Sequence, residues 1–169
     1  MKSLGLALFV TGFLTTGCSF ASPDKRPVKT SGETVITTTI DGVAIRANIG
    51  THEIQIGKES DGRPEVPKTS CTYSRYPCSV VDSVEVRVGE VKLFVPRSAF
   101  CDLADVNNGQ VIRGETGFLL RLYGGDASES YVATIHFDKT RILSRTLASF
   151  QAPGEALQKT TYYESTLGD

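Results

Sequence analysis

The chain has 169 residues, 40% of them hydrophobic, including eight Phe and six Tyr. That is the size of one ordinary domain, with enough apolar mass for a core. Its 18 basic and 19 acidic side chains leave a formal net charge of −1 without a run of like charge, which excludes the basic patch that nucleic-acid binding requires.

Met1-Lys2 is a short basic start, and Leu4 to Leu14 is an apolar run broken by Gly5, Thr11 and Gly12. The run is too short to span a bilayer, and residues 1–21 read as a secretory signal. Gly17-Cys18 resembles a bacterial lipobox, although Thr15 stands where a larger aliphatic is usual. The resemblance implies that Cys18 becomes a lipidated N-terminus. Ser19-Phe20-Ala21 is a rival small-x-small site that would cut before Ser22 and discard Cys18. A non-Asp residue after the cysteine, here Ser19, resembles outer-membrane sorting in Gram-negative lipoproteins. The expected location is the periplasmic side of the envelope, anchored in the outer membrane, with a soluble periplasmic or secreted form as the alternative. Removing the signal takes Lys2 with it, so the mature balance is 17 minus 19, or −2.

Residues 22–32 are polar with two prolines and read as a flexible tether, leaving 33–169 as the folded domain. From there the period is two. Ile36, Thr38 and Ile40 share a face, Asp41-Gly42 makes a two-residue turn, and Val43, Ile45, Ala47 and Ile49 follow. Gly50-Thr51 reads as a second turn, with His52, Ile54 and Ile56 beyond it, so a three-strand meander is expected. Residues 57–79 break the pattern, and a connection this long is usually functional or disordered. Val84, Val86 and Val88 then answer Val91, Leu93 and Val95 across Gly89-Glu90.

Pro96 ends that hairpin. Ser98 is placed to cap a short helix from Ala99 to Ala104, the one helical candidate. Asn108-Gly109 reads as a turn before a strand opening at Val111. Phe118, Leu120 and Leu122 alternate with polar and apolar neighbours, as do Tyr131, Ala133, Ile135 and Phe137. Asp138 to Arg141 is a turn. Ile142 to Ser149 and Ala156 to Glu164 are the last two strands, joined at Pro153-Gly154. About nine short strands at this spacing predict an all-β fold, a single antiparallel β-sandwich or small barrel with one short helix.

Four cysteines suit an oxidising compartment. Cys71–Cys78 is the favoured disulfide, with pairings to Cys101 left open; a leftover cysteine is expected to be buried as a small hydrophobe. Cys71-x6-Cys78 is too wide for a zinc knuckle, and neither His52 nor His136 has a Cys or His at ligand spacing, so no metal is expected. There is no Gly-x-Ser-x-Gly elbow and no Ser-x-x-Lys. His136, on the polar face beside Thr134, reads as a solvated strand residue, and His52 as a half-buried residue at a strand start. Asp102 and Asp105 would share a solvated helix face. Gly124-Gly125 lacks the Lys and following helix of a phosphate loop. No cofactor and no enzymatic activity are expected.

The candidate site is the loop Cys71-Thr-Tyr-Ser-Arg-Tyr-Pro-Cys78. A disulfide would hold Tyr73, Arg75 and Tyr76 at low entropic cost, and Tyr and Arg dominate protein-interface hot spots. The opposing reading is that the tyrosines fold back over a sheet end. A small disulfide-containing β-domain on a lipid anchor resembles the inhibitor and immunity lipoproteins that neutralise lytic enzymes or toxins. The expectation is a non-enzymatic protein-binding lipoprotein of the bacterial envelope. The alternatives are an assembly accessory of an envelope complex, or a carrier of a lipid or small apolar ligand.

Overall fold

Alternating apolar side chains fold this chain into two antiparallel sheets packed face to face. The structure is a computed structural model that describes residues 25–56, 71–72 and 75–164. Ten strands are formed among the described residues: β1 Arg26–Pro27, β2 Gly32–Ile40, β3 Val43–Ile54, β4 Cys78–Val88, β5 Val91–Leu93, β6 Val106–Arg113, β7 Phe118–Gly124, β8 Tyr131–Phe137, β9 Ile142–Ser149 and β10 Ala156–Thr161. One sheet runs β1-β6-β7-β8-β9-β10 and the other β2-β3-β4-β5. The fold is an open sandwich, not a closed barrel.

The sheets share one core. Ile36, Ile45, Ile49, Val84 and Val86 face Val111, Leu120, Leu122, Ile135 and Phe137, all buried. Such inward alternation from both layers is what a sandwich demands. The first hairpin is as expected: Ile40 pairs with Val43, and both Asp41 and Gly42 take positive φ, as a tight hairpin turn of this hand requires. Val88 pairs with Val91 across the second.

Four expectations are corrected. Gly50-Thr51 is not a turn; β3 continues through it, and the third strand of the meander is β4. Opposite this point Asp82 is bulged out of β4, and a side chain at residue 50 would collide with Ser83. Asn108-Gly109 is not a turn either and lies within β6. A Cβ at Gly109 would stand 2.7 Å from Ile36 Cδ1 and 3.1 Å from Leu122 Cδ2, so the glycine lets the sheets approach. The hairpin turn lies further on, where Gly114 N–H donates to the Gly117 carbonyl.

The expected helix from Ala99 to Ala104 is a single 3-10 turn, Arg97–Ala99, preceded by Pro96 and not capped by a side chain. A second short turn, Ala127–Glu129, is capped by Asp126.

The tether expectation also changes. From residue 25 on, the polar stretch belongs to the domain. Arg26 and Pro27 pair with Gly109 and Asn108. Val28, its one apolar side chain, is 8% exposed and enters the core. Thr51 Oγ1 donates to the Lys29 carbonyl, and Ser79 Oγ to that of Thr30. The segment thus crosses from the edge of one sheet to the start of the other. Residues 22–24 lie outside the described residues.

Candidate functional site

The loop leads directly into β4, whose first residue is Cys78. Ile56 is buried against Cys71, Cys78 and Ala104, with Ile54, Tyr76 and Val80 packed on them, making a second, smaller apolar cluster. Cys71 and Cys78 form a disulfide, with Cα atoms 5.7 Å apart.

A buried carboxylate completes the base of the loop. Asp105, 1% exposed, accepts from the Thr72 N–H at 2.7 Å and the Ser79 N–H at 2.9 Å. Its own N–H donates to the Ser79 carbonyl at 2.5 Å. Both flanks of the disulfide loop are therefore bonded to one side chain. Asp105 sits in left-handed backbone, with φ 49, which Asp tolerates better than most residues. Around it, Val80 bridges Ala104, and the Val81 N–H donates to the Leu103 carbonyl. Tyr131 Oη donates to the Ala104 carbonyl at 2.6 Å, and burial pushes its phenol well above the ordinary value. Because β8 carries Tyr131 and β4 carries Ser79, both sheets hold the loop base.

Of the three residues expected to contact a partner, Arg75 and Tyr76 are described and half-buried. Tyr73 and the lipidation candidate Cys18 lie outside the described residues. The Arg75 N–H donates to the Thr72 carbonyl at 3.1 Å. The Tyr76 ring packs on the small cluster, and its hydroxyl finds no hydrogen-bond partner among the described residues. Tyr76 thus covers the sheet end, while Arg75 remains partly accessible.

Asp102 and Asp105 do not share a solvated face. Asp102 takes both oxygens to Arg145 Nη2 at 2.8 Å, and Arg145, 1% exposed, also donates to Gln158 Oε1 at 2.6 Å. Cys101 is a free thiol on the surface, not a buried hydrophobe. His52 is exposed and pairs through Nδ1 with Asp82 Oδ1 at 2.6 Å, so it is not the half-buried edge residue expected. His136 contacts the carbonyl and hydroxyl of Thr116 on the outer face of its sheet. Among the described residues, no serine hydroxyl is bonded to either histidine, and no group of three His, Cys, Asp or Glu side chains is placed to hold a metal ion.

Sequence reasoning missed Asp105 as the brace of the loop. Its signal is local: a carboxylate set between the apolar pair Leu103-Ala104 and Val106. A charge at a buried position must be paired or hydrogen-bonded. Compared with known protein families, curated proteins and solved structures, the chain shows no match.

Proposed function

We propose that this protein is a non-enzymatic lipoprotein of the bacterial envelope that binds a protein partner, acting as inhibitor or immunity protein of a lytic enzyme or toxin. One observation carries the reading: the loop of residues 71–78 is stapled by its disulfide and bonded on both flanks to buried Asp105. A loop held this way loses little entropy on binding, which is how rigid inhibitor loops gain affinity. Its described accessible polar side chain, Arg75, is of the kind that anchors interfaces, while Tyr76 packs beneath it on the loop base. The filled core, with Phe137, Leu120 and Ile135 fully buried between the sheets, gives no support to an interior ligand carrier.

The test is capture from envelope extracts with the disulfide intact, followed by an activity assay on whatever is retained. A lytic enzyme held in equal stoichiometry and inhibited is the expected outcome. Arg75→Ala should abolish capture without changing the thermal melt. Capture unchanged when Tyr73, Arg75 and Tyr76 are all replaced by Ala would sink the loop assignment. Retention of envelope-complex subunits without inhibition would favour an assembly accessory. Cys18→Ser should release the protein from the membrane fraction.

A further inference from the structure

The face of the six-stranded sheet turned away from the core carries a second constellation. Arg121, Thr134 and Thr146 lie in one row across β7, β8 and β9, and Tyr123, Val132 and Ala148 form the next. Lys25 and Phe150 rise at one end, and together they enclose a concavity of about 520 Å³. That is the scale of a small-molecule site, not of a protein interface.

The concavity is cationic and unneutralised. Lys25 Nζ stands 4.0 Å from the centroid of the Tyr123 ring, a cation–π contact that holds the ammonium at the lining of the concavity. Among the described residues neither Lys25 nor Arg121 has an ion pair, and no carboxylate lines the concavity. Tyr123 Oη accepts from Gln110 Nε2 at 2.6 Å, so its own proton is free to be donated. Beside these donors is an apolar wall. Phe150 packs edge-on against Tyr123, with centroids 6.2 Å apart, yet remains 50% exposed.

We propose that this outer-face concavity binds a small amphiphilic carboxylate. The planar guanidinium of Arg121 matches a carboxylate with two parallel hydrogen bonds. Lys25 adds charge, the Tyr123 hydroxyl donates a further bond, and the apolar body of the ligand lies on Phe150 and Ala148. This site is separate from the disulfide loop and does not rest on the loop's role.

The test uses the protein purified as cells process it, with 2-naphthoate as probe in equilibrium dialysis. The neutral 2-naphthamide, inorganic phosphate and phosphatidylglycerol vesicles are run in parallel. Saturable one-to-one binding of naphthoate is expected, about tenfold tighter than the amide and weakened about tenfold by Arg121→Gln or Lys25→Gln with an unchanged melt. Equal binding of naphthoate and its amide would overturn the proposal, as would equal binding by wild type and Arg121→Gln. Binding to the vesicles or to phosphate without binding to naphthoate would also overturn it, assigning the cations to a membrane surface or to simple anions.

Discussion

Asp105 converts a negative charge into rigidity. Its carboxylate is buried, and two backbone N–H groups from opposite ends of the loop depend on it. Asp105→Ala would leave both donors unpaired in a dry site. A loss of about 3 kcal/mol in chemical denaturation is expected, since bonds to a charged acceptor are worth more than neutral ones. Asp138 shows the same chemistry at the surface. Burial pushes its carboxyl up, but bonds from the Thr140 N–H, the Thr140 hydroxyl and the Arg141 N–H outweigh it and hold the group below its ordinary 3.8. A carboxyl depressed in the folded state adds stability above its unfolded pKa, and that stability is lost as pH falls through the folded value. Asp138→Asn should therefore be less stable than wild type at neutral pH, with the gap closing only as pH drops below about 4. A gap independent of pH down to 2 would contradict this assignment.

At the scale of elements, the disulfide loop is the piece whose stability and proposed role coincide. The bridge spans seven positions, and closing so short a loop in the unfolded chain is worth about 2 kcal/mol. Replacing Cys71 and Cys78 together by Ser should lower stability by that amount and weaken partner capture further, because the loop must then be ordered at each binding event. Full capture by the double variant would separate the staple from recognition. The strands themselves were legible, because with one face buried the period-two pattern allows few registers: the runs at 43–49, 84–88, 118–122 and 131–137 lie where alternation puts them. The punctuation was less so. Gly50 and Gly109 look like turn residues in sequence, yet each marks a place inside a strand where a neighbour leaves no room for a side chain. Asp105 was hidden for another reason: its two partners are 33 and 26 residues away, and no local pattern encodes such a pairing.

Seen as a whole, the molecule is two sheets sewn together by two crossings that meet at Ser79. Residues 28–30 cross from one to the other, and the Leu103 to Asp105 segment bonds to β4 before entering β6. The early polar stretch misled because its composition is that of a linker, while a single side chain, Val28, decides its placement. That placement sets a distance. If Cys18 carries the lipid, seven residues separate it from Arg26, where pairing with β6 begins. Fully extended, they span about 25 Å, less than the width of the domain they hold. The protein would then be confined to a thin shell above the bilayer, unable to pursue a partner into the open periplasm. Inserting ten Gly/Ser residues after Ser22 should thicken that shell without touching the fold. Inhibition of a membrane-bound target should survive the insertion; inhibition of a wall-bound one should improve.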